Sequence, residues 1–132
     1  MPAYNFQKKF KPAILSGRKI STIRAKRKGA VGDPTRLWVT EGIVCDEYLG
    51  QANLTTVKQI NLKADFETDE LQICLETPIG ANRSWLAALN SDDALTVALN
   101  EGFESLEAMK LWFRTNQRLP FNGYLHTWDR LK

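Results

Sequence analysis

The sequence predicts an α+β domain: a small β-barrel of five to six short strands, with one early and two late helices. Three observations predict it. Short runs rich in β-branched and aromatic residues recur through the middle of the chain. Helical apolar spacing occurs only towards its two ends. No repeat and no Gly-, Pro- or Ser-rich linker divides it, so residues 1–132 read as one domain. Short strands in a small domain hide their edges best by closing on themselves, and helices then cover the open ends.

The elements follow in order. Apolar residues at Phe6, Phe10, Ala13, Ile14 and Leu15 fit a short helix with one buried face. Pro12 is tolerated only in a first turn, so this helix starts late, and Gly17 reads as its stop. Ile20-Ser21-Thr22-Ile23-Arg24 has strand composition; strict alternation puts Ile20 opposite Ile23, so a bulge or twist is expected there. Lys26 to Pro34 is a basic, glycine-containing loop, and Arg36 to Thr40 a second strand. Gly42 to Leu49 fits neither pattern, and Gly50 punctuates it. Leu54 to Leu62, Glu70 to Thr77 and Ser84 to Ala88 read as strands. Asn90 or Ser91 caps a helix running to about Asn100, which Gly102 breaks. Ser105 caps another, with Leu106, Met109 and Phe113 on one face, Trp112 at its margin and Leu111 outward. Leu119 to Gly123 is a turn, and Tyr124 to Trp128 the closing strand.

Composition narrows the function classes. Apolar residues make up 43% and charged residues 25%, which argues against a mainly disordered chain. No apolar run approaches the roughly 20 residues that span a bilayer. The basic start is not followed by the apolar core of a signal peptide. The expectation is a cytoplasmic protein with no membrane partner, monomeric by default. Cys45 and Cys74 form no CxxC pair, and His126 is the single histidine. No metal site and no cofactor are expected, and the cysteines read as partly buried thiols in a reducing compartment.

Charge is segregated. Residues 1–32 hold nine Lys or Arg and no acid; from Asp33 onward nine basic residues face fifteen acidic ones. Such a field steers anions to one face, and nucleic acid is the commonest anionic partner of this kind. Packing of the two parts against each other, with mutual neutralisation, is the other reading.

The chemistry concentrates in Ser16-Gly17-Arg18-Lys19-Ile20-Ser21-Thr22-Ile23-Arg24. On a strand, Thr22 and Arg24 share a face. Lys19 sits at the turn into that strand, where its side chain can fold back towards Thr22. An ammonium, a hydroxyl and a guanidinium then converge and can bind a phosphate or a carbonyl. A desolvated lysine beside Arg24 has a lowered pKa and can act as base for the threonine hydroxyl. A carboxylate is needed to orient it or carry the proton. A solvated basic strand, with Thr22 chosen for β propensity, is the simpler alternative.

Gly17 to Arg24 resembles the Gly-x-Lys-x-x-Thr-Ile-Arg signature of ASCH domains, which are similar to PUA domains. Lys9-Phe10 before it, Gly32-Asp33 after it, Glu101-Gly102-Phe103 with Ser105-Leu106-Glu107-Ala108-Met109, and Pro120-Phe121-Asn122-Gly123 ahead of Trp128 extend the resemblance in order over nearly the whole chain. It implies a PUA-like β-barrel with a cleft beside the signature strand, and RNA as ligand. Some bacterial members hydrolyse the amide of N4-acetylcytidine with a Lys, a Thr and a Glu, roles that fall here on Lys19, Thr22 and Glu101. Another member is assigned ribonuclease activity. One departure stands out: Glu41 to Tyr48 is apolar and acidic where many relatives are basic. That favours a small ligand, such as a modified nucleoside, or RNA held mainly by the N-terminal segment.

Arg18, Arg24, Lys26, Arg27 and Lys28 are the expected substrate or RNA contacts, the run from Arg24 to Lys28 meeting phosphates through charge alone. Trp38 is the expected base-stacking residue, because its strand should neighbour the signature strand. His126 reads as structural, with a proton shuttle as the alternative. An amidohydrolase, a non-catalytic RNA-binding regulatory module, a metal-independent ribonuclease and a protein-binding module are the functions to be weighed.

Overall fold

A computed structural model describes residues 2–42, 45–81 and 83–132; the side chains of Glu41, Cys45 and Asp46 lie outside what it describes. Strand β1 spans Ala3–Phe6, a 3-10 turn spans Lys8–Phe10, and helix α1 spans Lys11–Leu15. Then come β2 (Ser21–Arg24), β3 (Pro34–Glu41), β4 (Cys45–Ala64), β5 (Leu71–Gly80) and β6 (Arg83–Ala88). Helices α2 (Ser91–Asn100) and α3 (Leu106–Asn116) and strand β7 (Phe121–Trp128) complete the chain. The fold is α+β, with three α-helices and seven strands among the described residues.

The 20-residue strand β4 is the spine of the sheet. Its first half pairs with β3, up to Asn53 against Pro34. From Leu54 onward it pairs with β7, and from Ile60 also with β5. The register slips between Leu54 and Thr56, where the strand changes partner. Beyond these lie β1, parallel to β3, then β6 on β5 and β2 on β7, both antiparallel. Among the described residues the ladders do not close into a ring: β1, β2 and β6 each pair with one neighbour. The expectation of short strands closing into a barrel is met only in part: the domain is rich in strands, but one long strand, β4, is shared by two sheet segments and the described ladders stay open.

Several local expectations change for physical reasons. Ala3–Phe6 is a strand that composition did not mark, because four residues carry too little periodicity to register. Pro12 does fall in the first turn of α1. Ile20 lies just before β2 and not within it, so the β2–β7 register runs without a slip from Ser21 to Arg24 and the expected bulge is absent. Gly50 interrupts no strand; it lies inside β4, beside the Lys132 carbonyl, at a position where a Cβ would collide. In the segment Gly42 to Leu49, Ile43 and Val44 lie outside the described residues, and the part from Cys45 belongs to β4. The expected turn at Phe121–Gly123 is already strand β7, where Gly123 lets the Arg24 carbonyl pass closely.

The late helices form as their caps dictate. The Asn90 side chain accepts from Asp93 N at 2.8 Å, and Ser105 Oγ accepts from Ala108 N at 3.0 Å. Met109 and Phe113 bury the inner face of α3, Trp112 is partly buried at its margin, and Leu111 is 52% exposed. One cluster of buried apolar residues joins Tyr4, Phe6 and Phe10 to Leu37, Leu54, Ile60, Met109 and Trp128. Cys74 is half-buried, and Cys45 lies outside the description of side chains. No helix is long and apolar enough to cross a membrane.

Candidate functional site

The end of α2 and the start of β2 are tied together: Ile20 N donates to Asn100 O at 2.8 Å. That contact sets Glu101 beside the signature strand. Gly102 follows with φ +93, and a Cβ there would press on the Lys19 side chain at 3.2 Å. Glycine therefore both ends α2 and leaves room for the lysine.

Lys19 turns inward and is 3% exposed. Its Nζ donates to Ser21 O and to Glu101 O, both at 2.7 Å, and lies 3.9 Å from Glu101 Oε1. Two of its three N–H donors are thus taken by carbonyls, and the carboxylate oxygen stands beyond hydrogen-bond distance. The same nitrogen lies 4.9 Å from the Phe10 ring centre and 5.3 Å from that of Phe6. Burial pushes the ammonium down to about 8; the Glu101 carboxylate opposes the shift and Arg24 adds to it. Glu101 is equally buried, and its Oε2 accepts from the Ser21 hydroxyl.

Thr22 and Arg24 do share a face, as alternation requires. Arg24 Nε donates to Thr22 Oγ1 at 3.0 Å and Nη2 donates to Asn5 O at 2.9 Å. The guanidinium lies over the rings of Tyr4 and Phe6, at 5.4 and 5.1 Å. Burial lowers its affinity for the proton, with Glu101 and Tyr4 opposing. Because Thr22 Oγ1 accepts from Arg24, its own O–H is left to donate elsewhere.

These groups open onto one pocket of about 270 Å³. Lys19, Thr22, Arg24 and Glu101 line its polar side, and Phe6, Phe10, Phe103, Trp112, Phe113 and Phe121 its apolar walls. Aromatic walls around a few convergent polar groups are the usual form of a small-molecule site.

The expected residues divide into two groups. Lys19, Thr22, Arg24 and Glu101 come together. Arg18, Lys26, Arg27 and Lys28 are exposed and do not line the pocket. The loop carrying the last three adjoins it through Ala25, and its backbone is pinned: the Tyr4 hydroxyl donates to Lys28 O, and Lys28 N donates to His126 Nε2 at 2.9 Å. Trp38 lies away from the pocket, and its strand does not neighbour the signature strand as expected: among the described residues β3 pairs with β1 and β4, and β2 with β7. Trp38 alternates with the core residues Leu37 and Val39, so it points to the opposite face of the sheet and packs on Tyr48 at 4.9 Å. The expected approach of Lys19 to Thr22 takes a different form. The ammonium hydrogen-bonds Ser21 O and Glu101, and Arg24 meets the threonine.

His126 has no exposed surface, and its Nδ1 has no hydrogen-bond partner among the described residues. Its burial lowers its proton affinity. Its place is structural, under the basic loop. Among the described residues no three His, Cys, Asp or Glu side chains gather as a metal-binding group.

Sequence reading missed Ser21, which looked like strand filler, and Asn5, which sits on the unrecognised β1. A serine flanked by Lys19 and Thr22 carries no signal of its own; only the return of Glu101 gives its hydroxyl a partner. Set against known proteins, the chain matches no family model, no curated protein and no solved structure.

Proposed function

We propose that the chain is an ASCH-type domain of the PUA-like barrel class that binds a modified pyrimidine nucleoside in this pocket and hydrolyses its exocyclic amide, as in N4-acetylcytidine. The observation that carries this reading is the buried Lys19–Glu101 pair on the wall of an aromatic pocket that Thr22 and Arg24 also line. A buried, pKa-shifted cation in a cleft is a mark of functional sites. The order of the signature residues along the chain supports the family assignment.

In this reading Lys19 works as the neutral amine. A neutral amine keeps two N–H donors, matching the two carbonyls at 2.7 Å, and gains a lone pair. It takes the Thr22 proton, directly or through one water, as Oγ1 adds to the acetyl carbonyl carbon. Arg24 donates to the oxyanion. The C–N4 bond then breaks, and the Lys19 proton passes to the departing amine, giving cytidine and an acetyl ester on Thr22. Water, deprotonated through Lys19, cleaves that ester to acetate and restores the threonine hydroxyl. Within each half, Glu101 steadies the charged form of Lys19 until its proton is passed on, to the amine in the first and to the Thr22 oxygen in the second. The test is incubation of N4-acetylcytidine with the purified protein, followed by chromatography. Cytidine is expected, and its absence at high protein concentration overturns the reading.

A second reading, an RNA-binding regulatory module, draws on the exposed Lys26, Arg27 and Lys28 on a pinned loop beside the pocket. Its signature is an affinity for single-stranded RNA that falls steeply with salt. A ribonuclease draws less support, because the one histidine is buried with Nε2 already engaged.

A further inference from the structure

Ser21 touches both members of the buried ion pair. Its carbonyl accepts from Lys19 Nζ at 2.7 Å, and its hydroxyl donates to Glu101 Oε2. It is 1% exposed and is held in register against Thr127 of β7. The pair it bridges is unusually open for one so buried. Glu101 Oε1 stands 3.9 Å from Nζ, whereas a charge-assisted N–H···O bond closes to about 2.7–2.9 Å. Lys19 instead reaches that shorter distance to two uncharged carbonyls.

We propose that Ser21 is a positioning residue: its hydroxyl holds the Glu101 carboxylate back from full contact with the Lys19 ammonium, which its own carbonyl anchors, and so leaves Lys19 able to act as a base. Physically, a carboxylate free to close on the ammonium favours the charged form more strongly. Among the described residues the other charge acting on Lys19 is that of Arg24, at the end of β2, which works in the opposite direction. The aromatic neighbours Phe6 and Phe10 carry no charge. With Glu101 held off by Ser21, burial and Arg24 outweigh the ion pair. The usefulness of this arrangement rests on the hydrolytic role of Lys19 proposed above; the geometry does not.

The test is a pH titration of the lysine side chains by NMR, in protein carrying 13C-labelled lysine, with the Lys19 signal assigned by its loss in Lys19→Met. The midpoint in the unaltered chain is expected near 8. Ser21→Ala should move it upward by about one pH unit or more, because the carboxylate then closes on the ammonium. Ser21→Thr keeps the hydroxyl and should leave it within a few tenths of a unit of the original. Ser21→Cys, whose thiol is a weak donor, should fall between, and serves if the alanine variant does not fold. A midpoint unchanged or lowered in whichever of Ser21→Ala and Ser21→Cys folds overturns the proposal. The titration needs no turnover, so a failure here is distinct from failure to hydrolyse the amide.

Discussion

The Lys19 ammonium and the Glu101 carboxylate, 82 residues apart in the chain, stand 3.9 Å apart where each residue is 3% exposed. Such a pair is a poor source of stability, because removing two ions from water costs more than an imperfect contact returns. Burial drives the ammonium down to about 8 from its ordinary 10.5. The unfolded chain therefore binds that proton more tightly. Below pH 8 the group subtracts from stability, and the loss is recovered as pH rises from about 8 to about 10.5.

Breaking the pair from one side should be severe. Glu101→Gln or Lys19→Met alone strands the other charge and should cost roughly 3–5 kcal/mol in urea unfolding at pH 7. The double variant should cost clearly less than the sum, since neither charge is then left alone. Additivity to within about 0.5 kcal/mol would contradict the pairing.

Hydrolysis should depend on Lys19 losing its proton. The rate is expected to rise through a midpoint near pH 8, following the lowered pKa of the buried ammonium. Among the charges facing Lys19, Glu101 favours the ammonium, so Glu101→Gln should move the midpoint down. A profile flat from pH 6 to pH 10 would remove Lys19 from the role of base.

Arg24→Lys should not be conservative. The guanidinium engages Thr22 Oγ1 through Nε and Asn5 O through Nη2, a fork that an ammonium cannot reproduce. A fall in kcat of about 100-fold is expected, with an unchanged circular dichroism spectrum. Retention of most activity would mean that Arg24 does not meet the developing charge.

Much of this site was legible in the sequence, and the reasons differ by residue. Thr22 and Arg24 share a face because strand alternation is a rule of covalent geometry, so their contact could be anticipated. Lys19 was expected near Thr22, but its path depended on Glu101, and no local pattern reveals where a residue 82 positions away returns. Trp38 was misjudged as a stacking residue because strand composition does not reveal pairing: its strand β3 lies between β1 and β4 while β2 pairs with β7, and alternation with Leu37 and Val39 turns it away from the core. The α+β class and the capped late helices followed from local signals. The long strand β4 did not, since a strand that changes partners midway shows two unrelated burial patterns in one stretch.

His126 should make the fold acid-sensitive. Burial holds its pKa below the ordinary 6.5, so the unfolded chain takes the proton first and stability falls as pH drops below about 6.5. Its Nε2 accepts the Lys28 N–H, a role that a glutamine carbonyl can fill. His126→Gln should flatten the decline of melting temperature between pH 6.5 and pH 5, relative to the unaltered chain. An equal decline in both would place the acid sensitivity elsewhere.

The shared pocket of Lys19, Thr22, Arg24 and Glu101 is tested most directly by following N4-acetylcytidine with the protein by proton NMR. The account predicts that the acetamide methyl signal gives way to that of free acetate, with cytidine formed in equal amount, and that Thr22→Val, folded and pocket-intact, leaves the substrate untouched. Persistence of the acetamide signal with the unaltered protein, or equal turnover by Thr22→Val, would contradict it.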